Sequence, residues 1–153
     1  QAQAAGVQLR TQLDAHSGCA HVDPSLLKQA LLNLMINAIQ AMQDARNANP
    51  PKLHGGANEL ILRTHCRRGP NPAEMQIHVI DTGPGIQAEN LEKVFQPYFS
   101  TNRSGTGLGL PTTRRIVEEH DGTITVHTAI GRGTDFLITL PMGNPNEARS
   151  SGD

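Results

Sequence analysis

The pattern of hydrophobic and polar residues predicts five β-strands. Apolar and polar residues alternate over residues 7–13, 123–128 and 134–140, as in strands with one buried face. Residues 59–67 and 74–81 are also strand-like, and the Gly- and Pro-containing segment between them predicts a hairpin. The segments 123–128 and 134–140 are joined by a short Gly-rich turn and are predicted to pair as well. Val22 is a further candidate, for a short return strand.

Helical spacing predicts one long helix over residues 24–43 and a second over residues 111–120. Asp23 is a favourable N-cap for the first helix, and Pro24 suits its first position. Gly122 suits the end of the second helix. A short helix is predicted within residues 87–94, and loops over 45–58 and 95–104. Apolar residues three and four apart form the predicted buried face of the long helix: Leu27, Leu31, Leu34, Ala38 and Met42.

A second stripe on the long helix is made mostly of uncharged amides. It consists of Gln29, Asn33, Asn37, Gln40 and Asp44. Such a stripe is ordinarily a solvated face, but solvated faces are rich in Lys, Glu and Arg, and Asn is a poor helix former. The alternative is that Asn33 and Asn37 face a ligand.

Length and composition indicate one domain and exclude several kinds of partner. The 153 residues suffice for one core. The net charge of -1 and the 3% aromatic content argue against nucleic-acid binding. No apolar run reaches membrane-spanning length, so direct membrane contact is not expected, and residues 1–6 are small and polar without the basic start of a signal peptide. The domain is predicted to be cytoplasmic, and a membrane anchor in its parent protein is left open. Cys19 and Cys66 form no close-spaced motif, which favours reduced thiols while leaving a disulfide open.

Three alternating glycines precede the second predicted helix. They are Gly105, Gly107 and Gly109, with Thr106, Leu108 and Leu110 between and after them. Glycines let a backbone approach a ligand closely, and a helix start offers free N–H groups and a positive dipole end. The segment is therefore a candidate phosphate site.

Other nucleotide, metal and hydrolase motifs are missing. None of the three lysines stands in a P-loop, and Leu110 occupies the place where a dinucleotide fingerprint needs its third glycine. The seven His are scattered, so a zinc site is not expected. No Ser lies in a Gly-x-Ser-x-Gly elbow.

The end of the strand over residues 74–81 offers a base-reading group. Asp81 can accept a hydrogen bond from an exocyclic amino group, which adenine has and guanine lacks at that place. Gly83 and Gly85 would let the chain pass close to a flat base. The side-chain oxygen of Asn37 is a hard neutral ligand suited to Mg²⁺ carried by phosphates.

These segments resemble the conserved boxes of the ATP-binding domain of sensor histidine kinases. The resemblance covers residues 7–141, and the boxes occur in the family's order and spacing. They are an N box at Asn33–Ala38, a G1 box at Asp81–Ile86, an F box at Phe95–Phe99, a G2 box at Gly105–Leu110 and a closing Gly-Thr-x-Phe at Gly133–Phe136. The Asn-Ala-Ile-Gln-Ala run and the short lid are most similar to the nitrogen-regulation class.

The resemblance implies an α/β sandwich, the Bergerat ATP-binding fold, in which a mixed sheet packs on three helices. This fold is shared with gyrase, Hsp90 and mismatch-repair ATPases. A mobile lid is expected at residues 96–104. The resemblance makes Asn37 the Mg²⁺ ligand, Asp81 the adenine reader and Thr134 its supporting hydroxyl. The residues expected at the ATP site are Asn33, Asn37, Gln40, Asp81, Gly83, Gly85, Ile86, Tyr98, Thr101, Arg103, Gly105, Thr106, Gly107, Leu108, Gly109, Leu110 and Thr134.

The chain departs from the family pattern in three places. Asn102 stands where the lid often has Lys, so Arg103 is the candidate for the phosphate contact. The loop over residues 45–58 is longer than expected. None of the seven His has the acidic and proline neighbours of a phosphoacceptor. We therefore expect a catalytic domain over residues 1–141, followed by a disordered tail over 142–153, whose partners are a helical dimerisation and phosphoacceptor domain and a downstream response regulator.

Two other functions compete with a histidine kinase. Gyrase- and Hsp90-type ATPases have a Glu base one helical turn before the Mg²⁺ ligand, and Asn33 holds that place here. An amide does not take a proton from water at neutral pH, which argues against an ATPase. A nucleotide-sensing module without activity is the second alternative, and phosphotransfer to an acceptor distinguishes it from a kinase.

Overall fold

The computed structural model describes residues 6–14, 20–48, 58–67, 73–101 and 105–142. Within them the chain forms five strands and three helices. In chain order these are β1 (Gln8–Gln12), α1 (Pro24–Asn47), β2 (Glu59–Arg67), β3 (Glu74–Asp81), α2 (Ala88–Leu91), α3 (Gly109–Glu118), β4 (Thr123–Ala129) and β5 (Gly133–Pro141). Both α and β elements contribute to one core, as predicted.

The strands form one mixed sheet in the order β1-β2-β3-β5-β4. Strand β1 pairs in parallel with β2, and every other neighbouring pair is antiparallel. The pairs β2–β3 and β4–β5 are the two predicted hairpins. The central β3–β5 pair joins them and sets Asp81 opposite Thr134.

Helix α1 packs its small and apolar residues on one face of the sheet. Asp23 caps it, since its Oδ1 accepts hydrogen bonds from the backbone N–H groups of Ser25 (2.8 Å) and Leu26 (3.1 Å). Leu34, Ala38 and Met42 of the predicted face are buried, whereas Leu27 and Leu31 are only partly buried. The helix-facing residues of the sheet complete the core: Leu60, Ile77, Val79, Phe136, Ile138 and Leu140.

Helix α3 lies beside α1 and is tied to it near its end. The ring of His120 accepts at Nε2 a hydrogen bond from the N–H of Asp23 (3.0 Å) and donates from Nδ1 to the carbonyl oxygen of Ile116 (2.7 Å). The left-handed residue that ends the helix is Asp121 (φ 56°) rather than the predicted Gly122. Gly122 is small for another reason, because a Cβ there would lie 2.7 Å from the carbonyl oxygen of Thr139.

Several predicted boundaries were wrong. Helix α1 continues four residues beyond Gln43, since Ala45 faces the core and extends the buried stripe. Helix α3 begins at Gly109, two residues before Pro111, because proline is tolerated in a first turn and does not have to open it. Val22 forms no return strand; Ala20 instead makes an isolated bridge with Met142.

Some predictions concern residues outside the described ranges. These are the 49–57 part of the long loop, lid residues 102–104 and the tail beyond Met142. Cys66 is buried with a free thiol, and Cys19 lies outside the described ranges. Among the helices of the described segments, none combines the length and apolarity needed to cross a bilayer.

Candidate nucleotide site

Asp81 is a buried carboxylate at the end of β3. Only 5% of its surface is exposed. Its Oδ1 accepts a hydrogen bond from the N–H of Gly83 (2.8 Å), and the backbone N–H of Thr134 also donates to the carboxylate. Burial raises the pKa of Asp81 from 3.8 to about 6, although the two N–H bonds oppose the rise and the nearby charge of Asp135 adds to it. The structure thus holds a carboxylate where desolvation makes its charge costly.

Thr134 supports Asp81 through its backbone, whereas its hydroxyl has another partner. The hydroxyl oxygens of Thr134 and Thr128 are 3.2 Å apart. Thr128 also donates to the carbonyl oxygen of Gly133 (2.9 Å) and accepts from the N–H of Ile86 (2.9 Å). Sequence analysis missed Thr128, which lies outside every box; the signal was its place at the end of β4, opposite Thr134.

The glycines after Asp81 pack closely against the protein itself. A Cβ on Gly83 would lie 2.7 Å from Asp81 Oδ1 and 3.2 Å from Cγ of Met42. Gly85 has φ 78°, and a Cβ there would lie 2.5 Å from the carbonyl oxygen of Ala129. The fold itself therefore requires a residue without a side chain at both positions, because Gly83 packs closely against α1 and Gly85 against the β4–β5 turn. The predicted approach to a base would be a second reason.

Gly133 forms the other wall beside Asp81. It has φ 103°, a conformation that side chains rarely adopt, and a Cβ there would collide with the carbonyl oxygen of Asp81. The glycine of the closing Gly-Thr-x-Phe motif therefore allows the β3 and β5 backbones to meet at the site.

On α1, Asn33 and Asn37 lie beside the start of α3. The Nδ2 of Asn33 donates to the carbonyl oxygen of Gly109 (3.3 Å) and to Oγ1 of Thr113 (3.4 Å). The Cβ position of Gly109 would be 3.8 Å from Nδ2 of Asn37. Within the described segments, the half-buried side chain of Asn37 makes no hydrogen bond of its own. Asn33 thus serves the contact between helices, while Asn37 keeps its polar atoms available.

The glycine segment leads into α3 without a side-chain cap. Leu108 is the N-cap residue and provides no side-chain hydrogen bond to the first turn. Earlier in the segment, the N–H of Tyr98 donates to the carbonyl oxygen of Gly107 (2.9 Å), and both residues have positive φ, 64° and 69°. A Cβ on Gly107 would be 2.5 Å from the carbonyl carbon of Tyr98. Gly107 is thus required by this backbone contact.

Helix α1 connects the two ends of the site. Its Met42 contacts the loop after β3, through Gly83 and through the hydroxyl of Thr82 (4.0 Å to Sδ). One and a half turns earlier, the side chain of Asn37 faces Gly109 at the start of α3, where it would touch a Cβ added to this glycine. A ligand lying along α1 would meet Asp81 at one end and the first turn of α3 at the other.

The remaining predicted site residues differ in how deeply they are buried. Gln40 is half-buried on α1, and Ile86 and Leu110 pack against the core. Tyr98 is 81% exposed. Thr101, Gly105, Thr106 and Leu108 are exposed, and Arg103 lies outside the described residues.

The donor set fits a cation that arrives with a ligand. Across the described ranges, no three His, Cys, Asp or Glu side chains are grouped as a metal site requires. A single amide oxygen on Asn37 suits Mg²⁺ whose other ligands are phosphate oxygens and water.

The buried charge of Asp81 makes stability depend on pH. A folded-state pKa of about 6, above the ordinary 3.8, favours folding below pH 3.8, and this contribution is lost as the pH rises through about 6. We expect the nucleotide-free domain to lose up to about 3 kcal/mol of unfolding free energy over that window. Asp81→Asn should lack this component and be at least as stable as wild type at pH 7.

Urea unfolding from pH 4 to 8 measures the effect as the difference in unfolding free energy between wild type and Asp81→Asn. Asp135→Asn is the matched control, because Asp135 is adjacent to Thr134 but pairs with His78 on a more exposed side (2.9 Å). Because burial is the main cause of the raised Asp81 pKa and the charge of Asp135 adds only a smaller part, this variant should keep most of the wild-type pH dependence, whereas Asp81→Asn should lose it. Identical pH profiles for wild type and Asp81→Asn would contradict the assignment.

Comparison with known proteins gives the family. A model described as histidine kinase-, DNA gyrase B-, and HSP90-like ATPase matches residues 22–144. The sensor histidine kinase ZraS of Escherichia coli O157:H7 is 40% identical over 136 residues, which are 89% of this chain and 26% of that protein. The signal transduction histidine-protein kinase AtoS of Escherichia coli K12 is 35% identical over 94% of this chain and 22% of its own length. The chain thus spans about a quarter of these relatives.

Solved structures agree in fold. The nucleotide-free catalytic domain of the histidine kinase ThkA superposes with a TM-score of 0.71 at 27% identity, covering 92% of this chain and 82% of that one. Full-length ShkA in complex with AMPPNP superposes with a TM-score of 0.74 over 94% of this chain and 27% of that one; at 22% identity it supports the fold alone. The chain belongs to the family of histidine kinase-, DNA gyrase B- and HSP90-like ATPases and is homologous to sensor histidine kinases.

Proposed function

We propose that this domain binds ATP with Mg²⁺ and donates the γ-phosphoryl group to a histidine on a helical dimerisation and phosphoacceptor domain. The step belongs to two-component signal transduction, with a response regulator as the later acceptor. The observation that carries the proposal is the buried Asp81 carboxylate at one end of the site, with Asn37 and the uncapped start of α3 at the other.

Each group has a chemical role in this proposal. The carboxylate of Asp81 accepts a hydrogen bond from the adenine amino group. The free N–H groups in the first turn of α3 bind phosphate oxygens, and the amide oxygen of Asn37 holds Mg²⁺. The metal neutralises charge on the transferring phosphate. The chain's own part is therefore positioning and charge stabilisation.

The place of Asn33 argues against the ATPase alternative. A hydrolytic enzyme needs a base there to take a proton from water, and an amide is not one. The Nδ2 of Asn33 is instead bonded to Gly109 and Thr113 on α3 (3.3 and 3.4 Å). We therefore expect slow ATP hydrolysis by the domain alone.

Further expectations concern the rest of the protein. The catalytic domain is proposed to span residues 1–141, in the cytoplasm, without direct contact with nucleic acid or membrane. Membership in the nitrogen-regulation class stays a prediction. The predicted lid, residues 96–104, would cover the phosphates, with Arg103 as the basic residue.

Labelling in trans tests the function. The chain is incubated with γ-labelled ATP and Mg²⁺, with and without the helical acceptor domain of its parent protein. Because none of its seven His has an acceptor's neighbours, we expect no labelling of the chain alone and labelling of the added domain. Rapid phosphate release by the chain alone would favour the ATPase, and ATP binding without transfer would favour the sensing module.

A further inference from the structure

Thr113 is a buried polar residue that no sequence motif explains. Among the described residues, only three polar or charged side chains are buried: Asp81, Thr113 and Thr134. The other two form the base-reading end of the proposed site. Thr113 is 0% exposed and lies on α3, one turn after Gly109.

The hydroxyl of Thr113 joins α3 to α1. It donates to the carbonyl oxygen of Ala30 (3.4 Å) and accepts from Nδ2 of Asn33 (3.4 Å). The same Nδ2 donates to the carbonyl oxygen of Gly109 (3.3 Å). The hydroxyl thereby fixes the amide that holds the first residue of α3.

This network sets the position of the α3 start relative to Asn37. Gly109 faces Asn33 and Asn37, since a Cβ added to this glycine would lie 3.8 Å from the side chain of each. The contact does not reach the other end of the site, where Asp81 is held by Gly83 and Thr134. A change at Thr113 would therefore move the phosphate-binding end and leave the base-reading end in place.

We propose that Thr113 is a positioning residue for the nucleotide's phosphates, because its hydroxyl sets the Asn33–Gly109 contact and with it the place of the first turn of α3 beside Asn37. The inference rests on the proposed function and assigns Thr113 a part in it. The simpler alternative is that Thr113 only fills the core between the helices. An apolar side chain of the same shape would then serve equally well.

The test separates phosphate contacts from base contacts. Dissociation constants for ATP, ADP and adenosine are measured by calorimetry for wild type, Thr113→Val and Thr113→Ser. We expect Thr113→Val to bind ATP and ADP about threefold to tenfold more weakly, as for one lost neutral hydrogen bond, with adenosine unchanged. Thr113→Ser keeps the hydroxyl and should restore the ratio of ATP to adenosine affinity.

Thr112→Val is the matched control, since it makes the same change one residue earlier. Thr112 is half-buried, and its hydroxyl makes no hydrogen bond within the described segments. This variant should bind all three ligands as wild type does. If Thr113→Val fails to fold, Thr113→Ser and Thr113→Ala replace it, because these two differ mainly in the hydroxyl.

Equal weakening of ATP and adenosine, or no weakening at all, would overturn the proposal in favour of core filling. A second readout does not depend on nucleotide. The backbone amide resonances of Gly105, Gly107 and Gly109 in the free protein should shift in Thr113→Ala and stay near wild type in Thr113→Ser. If wild type binds no ATP, the proposed function fails, and these resonances still decide whether Thr113 positions the segment.

Discussion

Asn37→Ala is expected to lower phosphoryl transfer to the acceptor domain by at least about a hundredfold, the size of effect seen when one preorganised stabiliser of transition-state charge is removed. Asn37 has no hydrogen-bond partner of its own among the described residues, and its side chain faces Gly109. Its removal should therefore leave the fold intact while depriving a phosphate-bound Mg²⁺ of a ligand. Initial rates of labelling at saturating ATP measure the effect.

Asn47→Ala provides the control for this variant. It removes the same amide from the exposed end of α1 and should transfer at the wild-type rate. Titration with ATP in the presence and absence of Mg²⁺ adds a second readout. The Mg²⁺ dependence of binding should weaken in Asn37→Ala, and an unchanged dependence would remove Asn37 from the metal site.

Asp81→Asn is expected to weaken ATP binding by about tenfold to a hundredfold, the range for one mispaired buried hydrogen-bonding group. The amide oxygen can still accept from the backbone N–H groups of Gly83 and Thr134. The new NH₂ group would face the adenine amino group, so two donors would meet. Guanine has a carbonyl oxygen at that place, and the relative affinity for GTP should rise.

Titration with ATP and GTP measures both changes. Asp135→Asn, the neighbouring carboxylate with its own partner in His78, should keep the wild-type preference for ATP. Unchanged ATP affinity in Asp81→Asn would exclude Asp81 as the adenine reader. Because the same variant is expected to be at least as stable as wild type at pH 7, weaker binding could not be attributed to unfolding.

Sequence patterns predicted the sheet and its two hairpins well. Strands β2 and β3 have the predicted bounds, because alternation and a Gly- and Pro-containing turn are local signals. The mixed fold was also confirmed, although it came from the family resemblance and not from periodicity. The end of α1 was missed because Ala45 is buried by tertiary contacts, which helix propensity does not report.

The different roles of the residues in the site could not be predicted from the sequence. Asn33 and Asn37 look alike in the pattern, but only the structure shows that Asn33 is bonded to α3. Thr113 has no local signal, since its partners Ala30 and Asn33 are distant in the chain, and the bond from Ile86 to Thr128 likewise joins distant segments. Gly85 and Gly133 were understood as ligand-facing or motif residues, whereas backbone contacts across the sheet already require them.

The pairing of Asp81 with Thr134 has a consequence for folding. The two residues belong to different hairpins, β2–β3 and β4–β5, which meet only in the β3–β5 pair. Local hairpins form early, whereas contacts between distant segments must first overcome loop-closure entropy. The base-reading end of the site therefore does not exist until the hairpins have docked. A nucleotide bound where β3 and β5 join the two hairpins would slow global unfolding and leave the early folding steps unchanged.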